Sequence, residues 1–317
     1  MRARPGPSTS GEEERGAGDA PHRAGFVSLI GRPNVGKSTL LNRLLGQKLA
    51  IVSPKPQTTR NRIRGILTRP GVQVVYVDTP GLHPPRGKLG RFMADTAAQA
   101  LEDVDAAVLV VEATAPPELD AAVLDALRTV TAPVVLALNK VDRVADRGRL
   151  LPLLEAYAGL RSFHALVPLS AAHGSGVDRL EAILLDLLPP GPPLYPPDTL
   201  TDQPETFFVG ETIREQLFLA TRHEVPYASA VRVDEVVDRG PAGPLYLRAD
   251  VFVERDSQKA IVIGEGGRVL KRIGQGARRE LEAFFGVPVY LDLRVRVRKD
   301  WRQDDRALRE LGYQRTS

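Results

Sequence analysis

The sequence predicts two successive domains: an α/β domain built on a mostly parallel six-stranded sheet, followed by a smaller α+β domain. A length of 317 residues suits two domains. Over residues 25–188, short apolar stretches alternate with longer helical ones, which is typical of a parallel sheet covered on both faces. Residues 189–204 then contain seven prolines, so neither a helix nor a central strand can continue through them.

Strands and helices alternate along the first domain. The predicted strands are Phe26–Ile30, Val72–Val77, Ala106–Val111, Val134–Leu138 and Ala165–Pro168. The predicted helices are Lys37–Leu45, Leu89–Leu101, Glu118–Arg128, Gly148–Tyr157 and Gly176–Leu188. A further strand at Arg62–Thr68 is expected to pair antiparallel with Val72–Val77, because the Pro-Gly pair between them favours a turn.

The other segments differ in composition. Residues 1–24 are rich in Pro, Gly, Ser, Glu and Arg and predict a disordered tail. Residues 189–204 predict a stiff linker between the domains. Residues 205–317 predict the order α–β–β–α–α–β, with a Gly-rich break before the helix pair. The first helix is expected at Glu205–Arg222 and the strands at Tyr227–Val237, Leu245–Glu254 and Val287–Arg298.

Composition excludes several classes of site. The absence of cysteine rules out disulfides, thiolate metal sites and a cysteine nucleophile. The apolar runs are far too short to cross a bilayer. A net charge of +4 indicates a polyanionic partner only weakly, but Arg268–Arg279 holds five basic residues and no acidic one. The clustering of charge therefore says more than its total.

The segment GRPNVGKS matches the phosphate-binding pattern G-x-x-x-x-G-K-[ST]. It follows one predicted strand and opens a helix, so its backbone N–H groups and the helix dipole would face phosphate oxygens. Lys37 is expected to reach the β- and γ-phosphates, and Ser38 to bind Mg²⁺. The residues predicted to contact nucleotide here are Gly31, Arg32, Pro33, Asn34, Val35, Gly36, Lys37 and Ser38.

A second motif, DTPGL, directly follows a predicted strand. Asp78 is expected to hold Mg²⁺, and the Gly81 N–H to sense a γ-phosphate. The residues predicted to contact nucleotide here are Asp78, Thr79, Pro80, Gly81 and Leu82. Between the two motifs, Thr59 is expected to reach Mg²⁺ when the γ-phosphate is present, with Thr58 as its rival.

Two further motifs predict recognition of guanine. The Asp142 carboxylate can accept from both N1–H and the exocyclic amine of guanine, whereas adenine offers no such pair of donors. The residues of this motif are Asn139, Lys140, Val141 and Asp142. We expect Asn139 to tie the loop to the phosphate loop and Lys140 to cover the base. After the next strand, backbone N–H groups of Ser170, Ala171 and Ala172 are expected to face guanine O6.

In this order and context, the motifs resemble those of translation-factor-class GTPases of the TrmE–Era branch. The second domain, with IVIGEGGR at 261–268, resembles a type II KH domain, and the chain end from Trp301 to Tyr313 resembles that of the Era family. The resemblance covers about residues 25–315. It implies an Era-type GTPase domain at 25–188, and a KH domain with a C-terminal extension at 205–317.

The resemblance also implies partners. It implies GTP and GDP as ligands, binding to 16S rRNA near its 3′ end, and a role in assembly of the 30S ribosomal subunit. The implied location is the cytoplasm, with peripheral contact on the inner face of the cell membrane, and no obligate protein oligomer is expected. RNA is expected to contact the G-x-x-G loop, whose backbone can approach phosphates, and the basic residues after it. These residues are Gly264, Glu265, Gly266, Gly267, Arg268, Lys271 and Arg272.

Catalysis is predicted to rest on positioning and charge stabilisation by Lys37, Thr59 and Gly81. Ras-like GTPases carry a water-positioning Gln where this chain has Leu82, so hydrolysis should be slow alone and stimulated by a partner. Asn34 resembles the position that binds a monovalent cation in related GTPases, which predicts stimulation by K⁺.

Two other functions fit parts of the pattern. One is an RNA-binding scaffold that holds a nucleotide and barely hydrolyses it, which Leu82 favours. The other is another RNA-directed P-loop NTPase, such as a kinase or an ATPase, against which Asp142 argues.

Overall fold

The computed structural model describes residues 21–119, 121–240 and 243–313. These residues form two compact units. The first unit comprises the described residues up to Leu49 together with Arg62–Leu82 and Ala97–Gln203. The second unit comprises Ala50–Asn61, His83–Thr96 and the described residues from Pro204 onward.

A six-stranded sheet forms the centre of the first unit, in the order β2-β3-β1-β4-β5-β6. All its pairings are parallel except that of β2 with β3, as the sequence predicts. The strands are β1 (Arg23–Ile30), β2 (Ile63–Arg69), β3 (Val72–Asp78), β4 (Ala106–Glu112), β5 (Val134–Asn139) and β6 (Ala165–Pro168). The helices of this region are α1 (Lys37–Leu45), α2 (Gly87–Gln99), α3 (Ala121–Arg128), α4 (Leu150–Leu160) and α5 (Val177–Leu187).

The central strands are apolar along nearly their whole length because both faces of the sheet are covered. In β4, every residue from Ala106 to Val111 is buried. Pairing aligns the carboxyl ends of neighbouring strands, with Leu29 opposite Asp78 and Glu112 opposite Asn139. The loops that follow these strands therefore emerge at one edge of the sheet, where α/β proteins bind ligands.

The predicted boundary of the tail, at residue 24, lies too far along the chain. Residues 1–20 lie outside the described residues, but β1 already begins at Arg23. The Arg23 backbone N–H donates to Gly71 O at 3.0 Å, and its side chain donates to the carbonyl oxygens of Asp186 and Leu188 at 2.9 and 3.0 Å. An arginine that the sequence assigns to the tail is thus the first residue of an interior strand of the sheet.

The proline-rich stretch predicted as a linker at 189–204 packs along the first unit up to Gln203. The buried Gln73 amide of β3 donates to Tyr195 O at 2.8 Å and accepts from the backbone N–H groups of Leu194 and Tyr195. Ile66 N–H donates to Leu200 O at 2.8 Å. The buried Gln73 side chain thus satisfies the backbone N–H groups of the two non-proline residues that lie between the proline pairs.

The second unit contains a three-stranded sheet in the order β7-β8-β9. Its strands are β7 (Ala230–Val237), β8 (Leu245–Val253) and β9 (Val289–Val297), and its helices are α6 (Glu205–Ala220), α7 (Asp256–Ile263), α8 (Arg268–Phe285) and α9 (Asp305–Glu310). β7 pairs antiparallel and β9 parallel to β8. Up to β9 this is the predicted order α–β–β–α–α–β, and its core joins α6 and α8 to one face of the sheet.

Two segments depart from the predicted division into a first domain at 25–188. Residues 50–61 and 83–96 belong to the second unit. In α2, Leu89 and Met93 are buried in a cluster with Phe252 of β8 and with Trp301. Leu89 and Met93 are four residues apart and so lie on one face of the helix, but such spacing does not identify the surface that buries the face.

None of the helices in the described part of the chain combines the length and the hydrophobicity that crossing a bilayer requires.

Candidate functional site

The phosphate loop joins β1 to α1 at the carboxyl edge of the sheet. Gly36 precedes α1 with a φ of 103°, in the left-handed region that favours glycine. A Cβ there would lie 2.3 Å from Asn139 Nδ2, so a side chain would also displace the neighbouring loop. Both constraints explain why the second glycine of the motif is required.

Lys37 points back along this loop. Its side chain is 6% exposed, and Nζ donates to Gly31 O at 3.1 Å and to Arg32 O at 3.0 Å. Burial lowers the pKa of Lys37 to about 8, and the nearby Asp78 carboxylate opposes that change. A phosphate placed beside the ammonium group would favour its charged form.

Ser38 and Asp78 come together, as their predicted shared role requires. Ser38 Oγ donates to Asp78 Oδ2 at 2.6 Å. A hydroxyl and a carboxylate are hard oxygen ligands that suit Mg²⁺, which commonly binds one or two protein groups plus substrate phosphates. The chemistry of this donor pair therefore fits the metal.

The segment after Asp78 lies close against the phosphate loop. A Cβ on Gly81 would lie 2.6 Å from the Pro33 nitrogen, and Leu82 N–H donates to Gly31 O at 3.0 Å. Thr79 Oγ1 donates to Leu29 O at 2.9 Å. The Leu82 side chain is buried in the hydrophobic core of the first unit, so it cannot orient a water molecule.

Asn139 joins three loops. Its Nδ2 donates to Val35 O at 2.7 Å, as predicted, and its Oδ1 accepts from Ala171 N–H at 2.9 Å. The second bond changes the expectation for guanine O6, because the Ala171 N–H is already used and Ser170 N–H donates to Ser175 O. Ala172 is therefore the remaining backbone candidate for that contact.

The Asp142 carboxylate is held in its charged form, which accepts hydrogen bonds. Ser170 Oγ donates to Asp142 Oδ1 at 2.5 Å, and this hydrogen bond lowers the pKa of Asp142 below its usual value. His173 Nε2 lies 3.8 Å from the other carboxylate oxygen. The carboxylate is consequently charged at neutral pH, the form that accepts two hydrogen bonds from guanine.

Lys140 and Arg43 add contacts that the motifs do not predict. Lys140 has a φ of 63°, and its Nζ lies 2.6 Å from Glu112 Oε2 at the end of β4. Arg43 of α1 donates to the carbonyl oxygens of Ala171 and Ala172 at 3.2 and 2.5 Å. Arg43 lies outside every motif, and only its place on the exposed side of α1 offered a signal.

The threonine pair predicted for the metal lies in the second unit's segment 50–61. Thr58 Oγ1 donates to Lys55 O at 2.7 Å and also lies 2.7 Å from Ser53 Oγ. These bonds use the Thr58 hydroxyl inside its own segment, and Thr59 is buried in the same segment.

The predicted RNA loop at 264–267 joins α7 to α8. Glu265 forms an ion pair with Arg268. The pair offsets a carboxylate that would otherwise repel phosphate, but it also occupies one of the predicted basic residues. Arg272 donates to Ala220 O at 3.0 Å, so it is also engaged. Lys271 lines a groove of about 480 Å³ between α8 and β9, together with Gly267.

Comparisons with known proteins agree with this arrangement. Residues 26–140 match a family model described as a 50S ribosome-binding GTPase, and residues 224–302 match a KH domain model. The chain is 51% identical to the GTPase Era of Geobacter metallireducens over 93% of this chain and 99% of the relative. It is 50% identical to the GTPase Era of Lacticaseibacillus paracasei over 92% of this chain and 97% of the relative. The chain belongs to the GTPase Era family.

Solved structures of the family have the same fold. A variant of Aquifex aeolicus Era bound to GDP.AlF4- matches with a TM-score of 0.87 and 37% identity, covering 92% of this chain and 99% of that chain. Era in complex with MgGDPNP and nucleotides 1506–1542 of 16S ribosomal RNA matches with a TM-score of 0.87 and 38% identity, over the same shares. The predictions of a P-loop GTPase domain, a KH domain and GTPase activity are thereby confirmed.

Because the Lys37 ammonium is buried, we expect the protein to take up a proton when it binds nucleotide at high pH. With a pKa of about 8, Lys37 is charged below pH 8 and mostly neutral at pH 9. Because bound phosphates raise this pKa, GDP binding at pH 9 should take up close to one proton, and at pH 6.5 almost none. Calorimetric titrations in buffers of different ionisation enthalpy measure this number. Equal proton uptake at both pH values would contradict the assignment.

The geometry at Asp142 predicts a change of base preference in Asp142→Asn. An amide in place of the carboxylate cannot accept from both guanine donors, but it can pair with xanthine, which carries an oxygen in place of the amine. GTP affinity should fall about 100-fold or more, as expected for the loss of charge-assisted hydrogen bonds, while XTP binding appears.

Asp146→Asn is the matched control, since Asp146 caps a short helix four residues later and accepts from Gly148 N–H at 2.9 Å. Competition titrations with GTP, XTP and ATP measure the preference. An unchanged order of affinities in Asp142→Asn would refute guanine recognition by this residue.

Proposed function

We propose that this GTPase uses its nucleotide state to control binding of its KH domain to 16S rRNA near the 3′ end, in assembly of the 30S ribosomal subunit. The observation that carries the RNA assignment is the loop at 264–267. It opens the 18-residue helix α8 beside the groove between α8 and β9. A loop and groove of this kind hold a short single-stranded segment in KH domains.

The glycines of the loop leave its backbone open. A Cβ built on Gly266 or Gly267 would have no heavy atom within 4 Å, so a phosphate can approach the main chain there. The groove beyond is lined by apolar, polar and basic groups, among them Leu270, Lys271 and Tyr290. Tyr290 is 59% exposed and stacks on Tyr246 with ring centroids 5.7 Å apart, which offers a surface on which a base can stack.

Charge also supports a local contact. Arg268 and Arg272 already have partners, so Lys271 is the basic residue of the predicted set that faces the groove. Few phosphates would then be neutralised, and the salt dependence of binding should be shallow. The solved Era complex contains nucleotides 1506–1542 of 16S ribosomal RNA, which supports the same RNA for this chain.

For hydrolysis, we propose roles that follow from the sequence motifs. Lys37 would stabilise charge on the β- and γ-phosphates, and the Gly81 N–H would contact the γ-phosphate. Ser38, Asp78 and Thr59 would hold Mg²⁺, which supplies charge neutralisation on the phosphate oxygens when it is bound. With Leu82 buried in place of a water-positioning side chain, we propose that turnover is slow alone and is stimulated by the RNA or ribosomal partner.

We place this activity in the cytoplasm, where ribosomal subunits assemble. Peripheral contact with the inner face of the cell membrane is carried over from the family resemblance alone.

The proposed RNA target is tested by crosslinking the full chain to RNA in cells and sequencing the attached fragments. We expect reads to concentrate near the 3′ end of 16S rRNA. Lys271→Ala should reduce them, because it removes one of the two basic side chains, Lys271 and Arg278, that line the groove. Arg128→Ala is the matched control, since Arg128 pairs with Asp125 on an exposed face of the first unit. Crosslinks that fall mainly outside small-subunit rRNA would refute the proposal.

We also propose that K⁺ stimulates hydrolysis through Asn34, whose φ of 65° places it in a left-handed turn of the phosphate loop. A potassium ion held beside the phosphates would add its positive charge to that of Lys37. GTP turnover should be several-fold faster in K⁺ than in Na⁺ at equal ionic strength, and Asn34→Ala should remove the difference. Equal rates of the unaltered protein in both salts would exclude this role.

A further inference from the structure

The segment 50–61 lies in the chain between α1 and β2 of the first unit, yet it packs in the second unit. Arg60 anchors it there. Its side chain is 1% exposed, and its guanidinium donates to three main-chain carbonyl oxygens. These belong to Pro226, Tyr227 and Ser229, at 3.1, 3.2 and 2.8 Å.

Aromatic rings complete the surroundings of Arg60. Its guanidinium carbon lies 5.8, 5.9 and 5.8 Å from the ring centroids of Phe218, Trp301 and Tyr313. The Tyr313 hydroxyl also lies 3.2 Å from the guanidinium, as an acceptor. A planar fork with five donors can satisfy these acceptors together and stack on rings, whereas a lysine ammonium cannot. Arg60 is thus held by geometry as well as by charge.

The same segment is attached to helix α6. Arg214 of α6 is buried, pairs with Glu211 and donates to Thr58 O at 2.5 Å. Val52 N–H donates to Glu215 Oε1 at 2.8 Å. Helix α6 buries more polar side chains than is usual for a helix of 16 residues. Two of these side chains, Arg214 and Glu215, hold residues 50–61 in place.

Helix α6 also packs against α8, the helix that begins at the proposed RNA loop. Gln216 Nε2 donates to Glu280 Oε1 at 2.6 Å, and a Cβ on Gly276 would lie 2.2 Å from Gln216 Oε1, so the two helices approach closely. Near the loop, Arg272 of α8 donates to Ala220 O at the end of α6. One helix therefore contacts both the segment that carries Thr59 and the helix that carries the RNA loop.

We propose that Arg60 is the positioning residue through which the nucleotide changes RNA affinity, with α6 as the element that connects the two. Thr59 and Arg60 are adjacent in the chain, so a metal contact that Thr59 makes in only one nucleotide state would act on a side chain that is fixed by four acceptors and three rings. Packed arrangements of this kind respond by exchanging between discrete states rather than by stretching. This inference rests on the proposed nucleotide-controlled RNA binding and names the residue that carries it.

The test compares RNA affinity in two nucleotide states. The full chain, loaded with GDP or with GDPNP and Mg²⁺, is titrated with the fragment of nucleotides 1506–1542 of 16S ribosomal RNA. The ratio of the two dissociation constants measures the coupling, which for linked sites is typically about 5- to 150-fold. In Arg60→Lys we expect the ratio to fall to within about twofold of one, because lysine cannot hold the same acceptors.

Two further variants make the result decisive. Tyr313→Phe removes a single acceptor of Arg60 and keeps the ring, so it should fold and should lower the ratio partway. Arg302→Lys is the matched control, since Arg302 pairs with Glu254 in the same unit, and its ratio should equal that of the unaltered protein. Thermal unfolding and GDP affinity are measured for each variant, because a merely structural defect would change these without changing the ratio.

Each outcome distinguishes the inference from the function on which it rests. A ratio above one in the unaltered protein that survives in both Arg60→Lys and Tyr313→Phe overturns the role of Arg60 and leaves the proposed function standing. A ratio of one in the unaltered protein overturns the nucleotide control itself. A ratio that falls in both variants but not in Arg302→Lys supports the inference.

Discussion

A buried cation must be surrounded by acceptors, and Arg60 meets that requirement with carbonyl oxygens and aromatic rings that all belong to the second unit. Burial lowers the pKa of Arg60, the direction expected for a charge removed from water. Each acceptor offsets part of the free energy that burying the guanidinium costs, so removing any one of them destabilises the arrangement. The loop at 226–229 and the segment near Trp301 are therefore held together around one side chain. The packing of residues 50–61 depends on this interaction, and so does the mechanism proposed for the KH domain.

The nucleotide site was the most predictable part of the molecule. Its chemistry is carried by short motifs at the ends of consecutive buried strands, and such motifs fix both residue type and position. The structure brings Ser38 to Asp78 and ties Asn139 to the phosphate loop, as the motifs predict. The competition for the Ala171 N–H could not be foreseen, because a motif does not reveal which of several backbone groups a neighbouring amide will occupy.

The second unit shows where sequence reasoning stops. Strand and helix order followed from alternating patterns, yet these patterns are local and cannot show that residues 50–61 and 83–96 leave the first unit. Arg60 reads as one more basic residue, and its burial depends on Phe218, Trp301 and Tyr313, which lie more than 150 positions away. The stretch at 189–204 is predicted as a linker because it is rich in proline, but the hydrogen bonds of the distant Gln73 fix its residues Leu194 and Tyr195 to the first unit.

Trp301 is the sole tryptophan of the chain and is fully buried beside the Arg60 guanidinium, so its fluorescence reports directly on that contact. The central claim is that the nucleotide acts on Arg60, and it is tested most directly by the emission spectrum of the full chain as GDP is exchanged for GDPNP with Mg²⁺. We predict a shift of the emission maximum on exchange, since moving a cation near the indole changes its local field, and no shift when Arg60 is replaced by lysine. Identical spectra of the unaltered protein in the two nucleotide states would contradict the account.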